Sequence, residues 1–528
     1  MEYDLEKVAE DSARGGFFLI SGTALSTVIM AASSILIGRF LGPELYGQYT
    51  LILVVPQLLL LFTDLGINQG VIKFTASLRS KGEISRIPRI IKYGLIIRAS
   101  AGIAIFTINY ALADLFASIL LQRPDLAFYV RLASTSIIFQ VIYTTATSAF
   151  VGLDKTEYNA LTTNIQATAK AIISIALVLL GFSIAGAIIG YVAGYVIASL
   201  IGVSILFFLM HKNRGKQSIN SLSDDLKILM SYGAPLYISV LLSGFIPIYQ
   251  NIVLAIFTTD ADIGNYKAAT NFIALMSILT VPITTTLLPA FSKITSSTNQ
   301  KIKEFYKIAN KYTAMIIIPL TLLIIIFSKE IVEIIYGSTF QSASIFLAIY
   351  CLLYFSVGIG YLVLPSLYNG LGQTKTTLKM SLITFFVLAV LSPPLTKTYS
   401  VPGLILAFIA ASTTGTTYGL YHAVRNLKIE LNMKTQLKIY LNSAISSIPP
   451  LLILNLTQLP KILNVALGGL LYLFTYLTLT PLTKTVTLPE LKQTITITQK
   501  IPSLETIAKP IITYQQRLLQ IKQAKPKI

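Results

Sequence analysis

Apolar stretches long enough for a helix to cross a bilayer, about 20 residues each, follow one another along almost the whole chain, roughly fourteen in number. The first covers residues 16–38 and the last residues 462–480. In lipid every backbone N–H and C=O must be satisfied within the protein, and the period-two alternation of a barrel strand is absent, so these segments are expected to be helices. The fold class expected is all-α, a polytopic membrane protein. Composition agrees, since hydrophobic residues are 54% and charged residues only 12% of the 528, where a soluble domain carries roughly 25% charged residues. No cleavable leader is expected, because residues 1–14 are charged and the first apolar stretch is long enough to stay in the membrane.

The same inventory excludes several kinds of chemistry. Cys351 is the single cysteine, so a disulfide framework or thiolate cluster has no material. His211 and His422 are the two histidines, too few for imidazole catalysis, and no metal-ligand spacing or phosphate-cradling glycine loop occurs. No catalytic residue, metal or cofactor is expected. The net charge of +19 raises the question of nucleic acid, but its distribution answers otherwise.

Basic residues gather in alternate connections. They are Arg79, Lys81, Arg86, Arg89 and Lys92; then Lys212, Arg214 and Lys216; then Lys301, Lys303, Lys307 and Lys311; then Lys375 and Lys379; then Arg425, Lys428, Lys434 and Lys438. The connections between are short and poor in Lys and Arg, as in residues 258–264 with Asp260 and Asp262. This pattern implies a plasma-membrane protein with both termini cytoplasmic, membrane lipids as partners and no nucleic acid. The basic tail after Pro481 is expected to lie along anionic lipid.

Sliding the chain on itself by 217 positions aligns Gly16 with Gly233, Gly47 and Tyr49 with Gly264 and Tyr266, and Gly186 with Gly403; one position more aligns Gly152 with Gly370. A near-constant offset across four helix ends implies two halves of about six helices. With an even number of helices both halves enter from the same side, so the repeats are parallel, an arrangement that places substrate between halves that rock. The expected division is residues 1–217 and 218–430 as two lobes, 431–482 as two appended helices, and 483–528 as a basic cytoplasmic tail.

Within the first lobe, Gly38-Arg-Phe-Leu-Gly-Pro-Glu-Leu-Tyr-Gly-Gln-Tyr49 and Asp64-Leu-Gly-Ile-Asn-Gln-Gly-Val-Ile-Lys-Phe74 stand out. They resemble the polysaccharide flippases, the oligosaccharide-lipid branch of the multidrug/oligosaccharidyl-lipid/polysaccharide exporter superfamily. The resemblance implies a protein that moves a polyprenyl- or dolichol-linked glycan from the cytoplasmic to the outer leaflet, alongside glycan-assembly enzymes. The turn also has a structural reading: Gly42 and Pro43 end one helix and Glu44 suits the start of the next.

Ionisable residues inside apolar helices cost about 2.5 to 3.5 kcal/mol each on the insertion scale, so each is a functional candidate. Asp64, expected well inside its helix, pairs with Arg98 in one reading and couples to an ion in another. Lys170 belongs to a stripe of Asn159, Thr163, Gln166, Lys170 and Ser174, whose spacings put all five on one helix face. Lipid does not tolerate such a face, so it lines either a hydrated cavity or a polar helix contact. Lys267 with Asn271 one turn on supplies the second half's cation, and Arg39 is either a substrate ligand or a headgroup anchor. The substrate-binding candidates are therefore Lys170, Arg98, Lys267, Gln166, Asn271 and Arg39, with Asp64 the ion-coupling candidate. The repeat is a control: Asp64, Lys73, Arg98 and Lys170 align with Val281, Ala290, Met315 and Val387, so the architecture does not require these charges.

An anionic pyrophosphate headgroup calls for cations, hydroxyls and amides. The competing drug antiporters of the same superfamily call for carboxylates, and a membrane glycan polymerase or glycosyltransferase calls for an acid or base in a substantial loop domain. Cations outnumber carboxylates inside the spans, which favours the anionic lipid-linked cargo.

Overall fold

A computed structural model describes residues 5–211, 222–294, 299–498 and 502–524. Lys212, Arg214, Lys216 and the boundary at 217/218 lie outside the described residues, as do Lys500, Lys525 and Lys527 of the tail. Among the described residues every regular element is helical. In order these are α1 (Leu5–Leu60), α2 (Ile67–Ser80), α3 (Ile87–Ala111), α4 (Ala113–Ile119), α5 (Ala127–Gly152), α6 (Thr156–Leu177), α7 (Ser183–His211), α8 (Leu222–Phe257), α9 (Asp260–Ile294) and α10 (Asn299–Ile326). There follow α11 (Ser328–Tyr336), α12 (Gln341–Cys351), α13 (Val363–Gly370), α14 (Thr374–Leu427), α15 (Met433–Ser446), α16 (Ile448–Leu456), α17 (Lys461–Leu482), α18 (Leu488–Thr498) and α19 (Pro502–Ala524).

Among the described residues, ten segments are long and apolar enough to cross a membrane. Three of them, Ser21–Thr63, Thr156–His211 and Thr374–Leu427, run to 43, 56 and 54 residues, more than a single crossing of about 20 residues uses. Each contains a backbone break that ends one helix and starts another: Gly42 at φ 75°, Gly181 and Ser183 at φ 90° and 50°, and Ser400 at φ 55°. Leu241–Phe257 is a shorter apolar helix.

The breaks carry the repeat into the backbone. Ser183 and Ser400, 217 positions apart, adopt nearly the same rare conformation, with ψ −132° and −140°. Asp154 and Gly372, one position further in offset, both have positive φ. The halves differ after Asp64: Leu65 and Gly66 take positive φ and interrupt the helix, whereas the equivalent Pro282 and Ile283 lie inside α9. Asp64 is thus not inside a continuous helix. The sequence reads as one span over residues 48–72, but the chain breaks within it.

The chain packs into two compact units. One comprises Met1–Ile278, Ser338–Ala343 and Leu388–Ala407. Its core includes Ile67, Val71, Ile90, Ile91, Ala146, Phe150 and Leu206, from α2, α3, α5 and α7. The other comprises Leu279–Gly337, Ser344–Val387 and Phe408–Ile528, with a core built on Phe291, Tyr306, Leu364, Tyr368 and Met380. In the second unit α18 and α19 bury Val486, Leu491, Ile512 and Leu519 beside Met315.

Candidate functional site

Lys170 is buried in the first unit because α7 has small residues where α6 is polar. Gly186, Gly190, Gly194, Ala198 and Gly202 recur every fourth position and form one face of α7, the small-residue pattern that lets helices approach closely. A methyl added at Gly190 would lie 2.2 Å from Ser174 Oγ, and one at Gly194 would lie 2.9 Å from Lys170 Cβ. The stripe of α6 therefore faces protein. Asn159 donates to the Thr147 carbonyl at 3.1 Å, Ser174 to the Ala187 carbonyl at 3.1 Å, and Thr163 accepts from Tyr143 at 3.3 Å.

Two members of the stripe lack such partners. Gln166 Nε2 is buried without a hydrogen bond. Lys170, 8% exposed, meets the Met30 sulfur at 3.9 Å and the Tyr191 ring, whose centroid is 5.3 Å from Nζ. Among the described residues no carboxylate pairs with it. Lys267, half-buried on α9, is close enough for its charge to act on Lys170 and is likewise unpaired among the described residues. A weak thioether acceptor and a ring face do not neutralise an ammonium, so two like charges share one neighbourhood.

Tyrosines surround them. Tyr191 and Tyr195 have ring centroids 5.2 Å apart, Tyr143 and Tyr195 5.6 Å, and Tyr46 stacks on Tyr49 at 6.3 Å. The Tyr49 hydroxyl and Ser33 Oγ are buried without partners. This aromatic cluster is legible only after folding, since its rings come from three helices; the glycine spacing of α7 is the sequence signal that marks where it forms.

The remaining candidates are held differently. Asn271 Nδ2 donates to Tyr46 OH at 2.8 Å and Ser34 Oγ at 3.1 Å, tying α9 to α1. Arg98 is 3% exposed and donates to Thr63 at 2.6 Å and Thr144 at 3.0 Å, while its Nε lies 4.0 Å from Asp64. Asp64 accepts instead from Asn68, its backbone N at 3.1 Å and Nδ2 at 3.4 Å, and so supplies an acceptor to the first turn of α2. Arg39 is exposed and forms no ion pair among the described residues.

Where α8 turns into α9, Arg123 and Asp260 form a second polar group, absent from the candidates named by sequence. Arg123 Nε donates to Asp260 at 2.8 Å and Nη2 to the Thr258 carbonyl at 3.0 Å, and Gln48 donates to the other Asp260 oxygen at 2.9 Å. One carboxylate thus joins α9 to α1 and to the α4–α5 connection.

Two family models match the chain: polysaccharide biosynthesis protein over residues 12–295, and lipid II flippase MurJ over residues 164–473. Each spans more than half of it. The chain belongs to the polysaccharide biosynthesis protein family. The lipid II flippase MurJ of Bacillus subtilis (strain 168) is 24% identical over 453 residues, 77% of this chain and 81% of that protein. Among solved structures, a lipid II flippase MurJ in an inward closed conformation superposes with a TM-score of 0.71 at 19% identity, covering 88% of this chain and 98% of that one. An inward-facing multidrug resistance MATE transporter superposes with a TM-score of 0.62 at 14% identity, covering 78% and 98%. The chain therefore has the polytopic helical fold shared by MurJ and MATE transporters, and its named relatives are flippases and transporters.

Proposed function

We propose that this chain is a flippase that carries a polyprenyl- or dolichol-phosphate-linked oligosaccharide across the plasma membrane by alternating access, for cell-surface glycan assembly. The observation that carries the reading is Lys170, 8% exposed on the polar face of α6, which meets a thioether and a tyrosine ring and no carboxylate among the described residues. An unpaired charge in a membrane helix is expensive, and a phosphate that brings two negative charges into the site removes that cost. Gln166 Nε2 and the Tyr49 hydroxyl supply donors for the same anion.

The antiporter reading needs a carboxylate free for a drug or a coupling ion. Asp64 serves α2 and lies beside Arg98, which favours the anionic cargo. The reading is of a transporter and not an enzyme. It places both termini in the cytoplasm, takes residues 1–217 and 218–430 as parallel lobes with fourteen crossings in all, and uses Arg39 as a headgroup anchor. The matched breaks at Ser183 and Ser400 support the repeat. Lipid-linked oligosaccharide analysis in a deletion strain tests the function: an intermediate that accumulates on the cytoplasmic leaflet is expected, and an unchanged lipid-linked pool with normal surface glycan overturns it.

A further inference from the structure

A buried ammonium that serves an anion must also be accommodated while the anion is away, and the first unit shows how Lys170 is held. α6 and α7 run antiparallel in one register: a methyl at Gly190 would meet Ser174, one at Gly194 would meet Lys170 Cβ, and one at Gly202 would meet Thr162. Gly194 thus leaves room for the base of the Lys170 side chain. Tyr191, three positions earlier on the same stretch of α7, receives its end. The ammonium nitrogen stands 5.3 Å from the Tyr191 ring centroid, inside the distance of about 6 Å at which a ring face attracts a cation. The Met30 sulfur at 3.9 Å is a second contact, and a thioether is a weak acceptor.

The ring is fixed and the lysine is not. Tyr191 is 5% exposed and lies edge-on to Tyr195, with an interplanar angle of 73°; Tyr195 lies edge-on to Tyr143 at 69°, and the Tyr143 hydroxyl donates to Thr163 of α6 at 3.3 Å. The three rings therefore brace one another between α5, α6 and α7, all in one compact unit. The lysine ammonium rides on a flexible four-carbon stem and can leave the ring, which cannot follow it. The repeat separates two duties of that ring. At the offset of 217, Lys170 aligns with Val387 and Tyr191 with Phe408, whose ring packs on Tyr350 at 5.8 Å. A ring at this place belongs to the architecture; its use as a seat for a cation is particular to the half that carries the lysine. A cation–π contact is weaker than the charge-assisted hydrogen bonds of a phosphate, so a phosphate takes the ammonium from the ring, yet the ring reduces the net gain on binding.

We propose that Tyr191 is a positioning residue that seats the Lys170 ammonium in the empty site and competes with the cargo phosphate for it, so that the cargo is released. The proposal rests on the flippase reading and adds how an unpaired buried cation lets its anion go. Binding of polyprenyl phosphate and of polyprenyl pyrophosphate to the full chain in nanodiscs of zwitterionic phospholipid is measured beside glycan export from cells. Tyr191→Leu removes the seat and is expected to bind both probes about three- to thirtyfold more tightly, the range that a cation–π contact spans, while export slows. Tyr191→Phe keeps the ring face and should restore the unmodified affinity and export. A phenylalanine with three ring fluorines at this position keeps the packed shape but strips the face of its negative potential. It should tighten binding relative to Tyr191→Phe, and it gives the answer if the leucine variant fails to fold. Weaker or unchanged binding in the fluorinated variant overturns the seat while leaving the flippase reading in place, because a ring with a structural duty alone responds to shape and not to fluorine. Failure of the unmodified chain to bind either probe overturns both.

Discussion

Gly47 and Gly264 lie against each other reciprocally. A methyl on Gly47 would stand 1.8 Å from the Asp260 carbonyl oxygen, and one on Gly264 would stand 1.8 Å from the Pro43 carbonyl oxygen. Each glycine thus meets the residue four before the other, and both pairs are separated by 217 positions, as a local two-fold axis requires. The obstructing atoms are backbone and cannot rotate away. Gly47→Ala or Gly264→Ala should therefore lower stability by about 1 to 3 kcal/mol, the usual cost of overpacking. Thermal unfolding of the purified variants measures this, and unchanged transitions would show that the helices do not approach so closely.

Lys170→Met is expected to separate stability from function. Replacing an unpaired buried ammonium with an apolar chain of similar length should stabilise the protein by about 1 to 3 kcal/mol, while glycan export falls to background. Export and membrane abundance are measured in the same cells. Export at the normal rate from a protein of normal abundance would remove Lys170 from the cargo path.

How far the fold and site could be read from sequence depended on whether the signal was periodic. Apolar length gave the helices, and the spacing from Asn159 to Ser174 gave the face that the structure buries against α5 and α7. The repeat was legible at Gly47 and Gly264 because close approach permits only the smallest residue. Hydropathy read straight through the interruption at Leu65 and Gly66, since a backbone break in an apolar run leaves the average unchanged. The rings of Tyr49, Tyr143 and the pair Tyr191 and Tyr195 come from three helices, and Arg123 meets Asp260 across 137 positions; no local pattern contains either. The Asp64–Arg98 expectation was drawn from the charge and depth of the two residues, and the structure brings them to 4.0 Å; the hydroxyls of Thr63 and Thr144 that also hold Arg98 carry no charge to notice.

Those hydroxyls decide how a charge exchange should behave. Asp64→Arg combined with Arg98→Asp is expected not to recover what the single variants lose, because the Asp64 carboxylate caps α2 and the Arg98 fork fits two hydroxyls. Asp64→Asn keeps an acceptor for the Asn68 N–H and should retain abundance, whereas Asp64→Ala should cost about 1 kcal/mol as a lost cap does. A double-mutant cycle on stability reads both. Rescue by the exchange would restore a simple ion pair.

Glu490, after the last apolar segment, offers a pH test. Burial alone would raise its pKa, but the Lys311 ammonium and the Thr487 N–H and hydroxyl outweigh this and hold the carboxyl below its ordinary value. A carboxyl with a depressed folded value stabilises the fold above its unfolded pKa, about 4.3, and that stability is lost as pH falls through the lower folded value. Proteolytic protection of α18 should therefore decline below about pH 4.3. In Glu490→Gln the protection should be lower at neutral pH and the acid-dependent step should disappear; an identical pH profile in the variant would show that Glu490 does not hold α18.

The last prediction concerns Arg123, whose hydrogen bonds to Asp260 and to the Thr258 carbonyl close the end of the bundle that the proposed orientation places outside. Gln48, Arg123 and Asp260 lie in one compact unit; in the proposed division into residues 1–217 and 218–430 Asp260 falls in the other half, so rocking of those halves requires this latch to break. Cys351 is buried, so Cys351→Ala gives a thiol-free background without burying a hydroxyl. Spin labels at Phe40 and Ile256, 46% and 47% exposed, avoid the packed Ile37 and report on the two sides of the latch. The unmodified latch is expected to give a dominant short distance and a minor long one. Arg123→Ala removes charge-assisted hydrogen bonds worth about 1.5 to 3 kcal/mol each and should raise the long population about tenfold or more. Cargo analogue should shift the ratio in both proteins, because a ligand moves such an equilibrium only through differential affinity. A single narrow distance that neither Arg123→Ala nor the analogue alters, in a labelled protein that still exports glycan, would exclude this latch from the transport cycle.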